Sequence, residues 1–140
     1  MRKRKFFCKK SLEIRQSELG EKHPYTANSY NTLGLIYIGQ EKYKEAVKLL
    51  IKSLRIRKEE LGTFHFDTMS SYWNVAIAYA HMKEYFNALE YMLKAYKISS
   101  SKLMRTDYGR QDIYRDMRIF CLLWNPKGNF EQWLEEQMKE

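Results

Sequence analysis

The sequence predicts an all-α protein of stacked helical hairpins, and three observations carry that expectation. A repeat runs through the chain at an offset of 42 residues, its apolar positions recur at helical spacing, and small residues return at fixed points of each unit. The repeat is plainest where LGEKHPYT at 19–26 returns as LGTFHFDT at 61–68, and SLEIRQSELG at 11–20 as SLRIRKEELG at 53–62. Between residues 11–52 and 53–94, 15 of 42 positions are identical, among them Leu12/Leu54, Ile14/Ile56, Tyr30/Tyr72, Tyr37/Tyr79, Tyr43/Tyr85 and Ala46/Ala88. His23 and His65 are therefore read as parts of a duplicated structural unit rather than as a catalytic pair.

Residues 1–20 align with the second half of a unit and are expected to form a lone second helix, with Phe6 and Phe7 lacking partners. This pattern reads as a fragment or a truncated array. The first full unit, 26–62, opens on Thr26, a candidate N-cap. Its first helix carries Tyr30, Leu33, Gly34, Tyr37 and Ile38 along one stripe and ends near Gly39. The second helix carries Tyr43, Ala46, Val47, Leu50 and Leu54, and stops at Leu61-Gly62, where glycine suits a left-handed C-terminal position. Thr68 opens the second unit, 68–104, in the same way. Gly34/Ala76 and Ala46/Ala88 sit where a larger side chain would push facing helices apart. One hairpin cannot bury its stripe alone, so successive units must stack.

A divergent terminal unit follows at 110–140. Tyr114, Ile119 and Cys121 fall in first-helix positions, NPKGN at 125–129 makes the turn, and Phe130, Trp133 and Leu134 fall in the second helix. Arg118 takes the place of Gly34/Ala76, Phe130 takes that of Ala46/Ala88, and LMRTDYGR at 103–110 is a degraded connector.

Composition narrows the function classes. The chain is 44% hydrophobic with two Pro and six Gly, which suits a helical domain and argues against disorder. No apolar run approaches the roughly 20 residues of a membrane span. FFC after the basic start is too short for a signal peptide, which needs about 7–15 apolar residues, so a cytoplasmic protein is expected. Two widely separated cysteines, Cys8 and Cys121, make neither a disulfide framework nor a metal motif. The net charge of +8 is concentrated in residues 1–10, which hold six Lys or Arg, while the remainder is nearly balanced. Phosphate binding needs basic residues gathered on one surface, so nucleic acid is not the expected partner. No Ser/His/Asp, Cys/His, zinc-binding or phosphate-loop pattern can be assembled, so neither an enzyme nor a cofactor is expected.

On these residues the chain resembles the tetratricopeptide repeat family. The first unit offers Tyr30, Leu33, Gly34, Tyr37, Ala46, Leu50 and Ser53, and the second Tyr72, Val75, Ala76, Tyr79, Ala88, Met92 and Ala95. The usual period of that family is 34 residues. The longer period here, with Leu19, Gly20, His23, Pro24 and Thr26 in the connector, is similar to the repeats of kinesin light chains. Phe66 stands where the second connector would carry proline. The resemblance implies a right-handed α–α superhelix and a non-catalytic scaffold or adaptor that takes a peptide of a partner protein in its concave groove. The groove positions it implies include Asn31, Leu35 and Ile38; Trp73, Asn74, Ile77 and His81; and Arg115 and Ile119. The asparagines offer hydrogen bonds to a peptide backbone, the apolar residues an anchor pocket, and Arg115 a carboxylate partner that Asp112 and Asp116 compete for.

Two alternatives stand beside that reading. One is a peptide-sensing regulatory module. The other is head-to-tail self-association through the chain ends, since residues 131–140 hold four Glu against one Lys while the start is basic.

Overall fold

The computed structural model describes residues 2–101 and 109–140. The LMRTDYGR connector and the end of the second unit at 104 fall largely or wholly at 102–108, outside the described residues. The order is α1 (Arg2–Leu19), α2 (Pro24–Gly39), α3 (Tyr43–Leu61), α4 (Phe66–His81), α5 (Tyr85–Ser99), α6 (Arg110–Trp124) and α7 (Phe130–Lys139). Among the described residues there is no strand. Pairs α2/α3 and α4/α5 are close hairpins, α1 packs on α2, and α3 and α5 pack on the first helix of the next hairpin.

Small residues set the closeness of each hairpin. A Cβ placed on Gly34 would lie 2.7 Å from Cγ of Leu50, a fully buried side chain. The second unit meets the same constraint with Ala76 against Met92, both fully buried. In the terminal hairpin Arg118 occupies that position and is exposed, while Ile113, Met117, Phe120 and Cys121 are buried. With no small residue to admit a second backbone, α7 approaches α6 at few points. It is anchored by Phe130 and Leu134, with the Phe130 ring edge-on to Tyr114 at 5.2 Å.

The turn within each hairpin places its left-handed residue beyond the end of the first helix. Gly39 does end α2, but the left-handed residue is Glu41, with φ +61°, and Lys83 repeats it with φ +61°. Lys42 N–H then donates to the Tyr37 carbonyl at 2.9 Å and Glu41 N–H to that of Ile38 at 2.9 Å. Glu84 and Lys83 repeat both bonds onto Tyr79 and Ala80. This is the Schellman arrangement, which satisfies the carbonyls of the last helical turn.

The connector between units explains the duplicated L-G-x-x-H-x-x-T pattern, and it corrects the expected caps. Thr26 and Thr68 are not N-caps. His23 and His65 are, with Nδ1 accepting from Tyr25 N–H at 3.1 Å and from Asp67 N–H at 3.0 Å. Each threonine lies inside the first helical turn, and its hydroxyl donates back to the carbonyl of Gly20 or Gly62 at 2.8 Å. Those glycines hold φ +92° and +91°. For Gly62 ψ is 164°, so the conformation is an extended one open to glycine rather than the left-handed helical one expected. Pro24 at the first helical position suits a site with no intrahelical N–H bond to lose.

A buried arginine ties neighbouring units together. Arg57 Nη1 donates to Ser71 Oγ at 2.7 Å and Nη2 to Asn28 Oδ1 at 2.9 Å, linking α3 to α4 and α2. Arg15 makes the equivalent bond to Ser29 Oγ at 2.8 Å one unit earlier. Ile113 replaces that serine in α6, so the bond has no third copy. Cys8 and Cys121 are buried and not disulfide-bonded, and burial raises both thiol pKa values.

Candidate peptide groove

Among the described residues, α2, α4 and α6 share a face that side-chain hydrogen bonds between them mark out. Two hydrogen bonds cross that face. Asn74 Nδ2 donates to Asn31 Oδ1 at 3.0 Å, joining α4 to α2. Trp73 Nε1 donates to Asp116 Oδ2 at 3.2 Å, joining α4 to α6. Asp116 also receives Arg115 Nε at 3.5 Å, and Asp112 receives Arg115 Nη1 at 3.3 Å. Arg115 therefore spends its charge on two neighbouring carboxylates, as their placement in the sequence foreshadowed.

Two clefts open on this face and share Ile77. One, of about 390 Å³, is lined by Phe66, Met69, Ser70, Trp73, Asn74, Ile77 and Asp116. The other, of about 230 Å³, is lined by Ile77, Ala80, His81, Tyr85, Phe120 and Leu123. Trp73 and Ile77 are half-buried, with one side of each against the central core. His81 is exposed and stacks on Tyr43 of α3, ring centroids 5.0 Å apart and planes 6° from parallel.

The structure thus brings Asn31, Trp73, Asn74, Ile77 and Arg115 together, with His81 at the far end of the second cleft. Leu35 and Ile119 are exposed on the same helices but line neither cleft, and Ile38 packs against the central core. Sequence reasoning left Phe66, Tyr85 and Phe120 out of the site. Phe66 holds the connector position where proline was expected, so it read as a defect, whereas here it walls a cleft. Phe120 follows the outward stripe of α6 by one residue and turns inward. Among the described residues, one polar group on each asparagine has no partner, the Nδ2 group of Asn31 and the Oδ1 of Asn74, so the floor offers a donor beside an acceptor. Among the described residues no group of three His, Cys, Asp or Glu side chains could hold a metal ion. No described helix is long and apolar enough to cross a membrane.

Stacked helical hairpins with a right-handed α–α superhelical course and an open face on their first helices define an α-solenoid of the protein-interaction class. The tetratricopeptide repeat model matches residues 7–59 and again 26–101, and the chain belongs to that family. Tetratricopeptide repeats mediate protein–protein interaction. No curated protein sequence matches the chain. Two crystal structures of a Podosopora anserina protein assigned as a kinesin light chain, with nearly identical tetratricopeptide-like repeats, superpose with a TM-score of 0.76 at 20% identity. The superposition covers 85% of this chain and 56% of that one, so the chain spans little more than half the length of those structures. At that identity the likeness is one of fold.

Proposed function

We propose that this chain is a non-catalytic interaction scaffold that receives a peptide segment of a partner protein on the α2–α4–α6 face. The observation that carries the reading is the pair of apolar clefts meeting at Ile77, beside the free donor and acceptor of Asn31 and Asn74. Apolar anchors seated in desolvated pockets dominate interface energies, while backbone hydrogen bonds fix register. Along α4, Trp73 and His81 are about 12 Å apart at a rise of roughly 1.5 Å per residue. An extended peptide covers that span in about four residues at roughly 3.3 Å each. The preferred ligand is therefore a segment with two apolar or aromatic anchors three to four residues apart and little net charge, because Arg115 is already paired.

The test is fluorescence anisotropy with labelled peptides carrying such anchor pairs, against wild type, Asn74→Ala and His81→Glu. Circular dichroism melts confirm that both variants fold. Saturable binding weakened at least tenfold by either substitution supports the groove. Equal binding by all three proteins moves the partner elsewhere, and no binding at about 1 mM peptide ends the proposal.

A further inference from the structure

The exposed face of α3 carries a run of four cations that the repeat itself does not require. Lys44, Lys48, Lys52 and Arg55 follow one another at steps of four, four and three residues, which puts them on one side of the helix, and all four are exposed. At the corresponding positions α1 has Arg2, Phe6, Lys10 and Glu13, and α5 has Phe86, Glu90, Lys94 and Lys97, so a phenylalanine and a carboxylate break the run in both. Among the described residues none of the four cations of α3 pairs with a carboxylate. Lys52 lies over the Tyr30 ring at 5.4 Å, a contact that leaves its charge unneutralised. An open cleft of about 560 Å³, larger than either cleft of the groove face, is lined by Lys48, Lys52 and Arg55. Its apolar lining includes Tyr37, Leu49 and Ile51, all half-buried. Leu49 continues inward to the cluster of Cys8, Leu33 and Ile36, and Ile51 to the central core. Glu45 brings a carboxylate to the same cleft, three residues before Lys48.

We propose that this face of α3 is a second docking site, which takes an acidic segment of a partner protein carrying an apolar anchor. Charge fixes the sign of the occupant. Like charges four residues apart on a helix repel, so carboxylates laid along the stripe relieve that repulsion as well as pairing with it. Arg55 offers a planar fork to one carboxylate, while Lys48 and Lys52 act as point charges for others. Lys44 and Arg55 are about 16 Å apart along α3 at roughly 1.5 Å per residue. An extended segment covers that distance in about five residues at roughly 3.3 Å each. The apolar lining then selects among anions. A leucine-like side chain withdraws from water against Leu49 and Ile51, whereas a row of phosphates offers that surface nothing but charge. The site lies on a second helix and uses none of the groove residues of α2, α4 and α6.

The experiment is fluorescence anisotropy of the 140-residue chain with a labelled peptide of four glutamates flanking one leucine. A control peptide replaces the leucine with serine. Lys48→Glu/Arg55→Glu reverses the charge of two exposed side chains that have no ion pair, Lys48→Gln/Arg55→Gln only removes it, and Asn74→Ala probes the groove instead. Circular dichroism melts confirm that the variants fold. Wild type should bind the acidic peptide saturably, and the affinity should fall as salt rises toward about 1 M, where the screening length is roughly 3 Å. Charge reversal should weaken binding at least tenfold, the glutamine pair should weaken it less, the serine peptide should bind several-fold more weakly, and Asn74→Ala should change nothing. No binding at about 1 mM peptide overturns the proposal, as does equal binding by wild type and the charge-reversed variant. So does a serine peptide that binds as tightly as the leucine one, or a loss in Asn74→Ala, which would put the peptide in the groove. Displacement of the peptide by an equal concentration of oligothymidylate would overturn it too, and make the face a nucleic-acid site.

Discussion

Asn31 and Asn74 are bonded across a unit boundary at 3.0 Å, and Trp73 and Asp116 occupy the same two positions one unit later, bonded at 3.2 Å. Adjacent first helices are thus bridged twice at one register by different chemistry, an amide pair and then an indole on a carboxylate. The donor also changes sides, from the following helix at the first junction to the preceding helix at the second. We expect Asp116→Ala to cost about 1 kcal/mol, the usual contribution of one hydrogen bond. The Nε1–H resonance of Trp73 should move toward its solvent-exposed position, and Asp116→Asn, which keeps an acceptor oxygen, should restore most of both. An unmoved indole resonance with an unchanged urea midpoint would refute the bridge.

The Gly34–Leu50 contact makes a compensation test. A Cβ at residue 34 falls 2.7 Å from Leu50 Cγ and 2.8 Å from Cδ2, too close for the Leu50 side chain to keep its place. Overpacking a filled core costs about 1–3 kcal/mol, which outweighs the roughly 1 kcal/mol that alanine gains over glycine in a helix. Gly34→Ala should therefore lower stability by about 1 kcal/mol net. Adding Leu50→Met reproduces the Ala76–Met92 pair of the next unit and should recover most of the loss. If the double variant is no better than the single in urea unfolding, Leu50 is not what limits that position.

The hairpin fold was legible because helical periodicity and the small-residue positions are local and repeat in register. The caps were misplaced for a physical reason. Threonine is a good cap by composition, but here its hydroxyl is needed by a glycine carbonyl, and the histidine three residues earlier takes the cap. The two bridges of the groove were hidden because they join positions 43 residues apart, one beyond the repeat, and change chemistry from unit to unit. Periodicity finds positions that stay alike, and a binding face is where positions diverge. Arg118 stands out in the sequence as a break in the small-residue pattern, and its consequence, an α7 held through Phe130, Trp133 and Leu134, needed the packing to be seen.

Positive-φ positions predict effects of opposite sign. Gly62 holds φ +91° with open space around it, so Gly62→Ala is strained by backbone alone and should destabilise by about 1–2 kcal/mol. Lys83 holds φ +61° without being glycine, so Lys83→Gly should stabilise by about 0.5–1 kcal/mol. Thermal melts of both variants decide it, and a shared sign would contradict the backbone account.

The phenol of Tyr30 offers a pH test. Its ring is buried, its hydroxyl donates to Glu21 Oε1, and Gln16 Nε2 donates to it at 2.9 Å. Burial first, then the hydrogen bond and negative charge of Glu21, push its pKa up to about 12, against the partial opposition of Gln16. The unfolded chain titrates near 10. A folded value above the unfolded one means that the neutral phenol stabilises the fold fully below about pH 10, and that this contribution is lost as pH rises through about 12. Glu21→Gln keeps an acceptor but removes the charge, so it should lower the Tyr30 pKa and flatten the loss of stability between those limits. Tyr30→Phe should abolish that share of the pH dependence. Carbon-13 labelling at the tyrosine ζ position follows each ring through the titration, with Tyr30→Phe assigning the signal and Tyr91→Phe removing the other tyrosine, among the described residues, whose pKa burial raises. A Tyr30 signal that titrates near 10, or that ignores Glu21→Gln, would show that the pair does not hold the proton in solution.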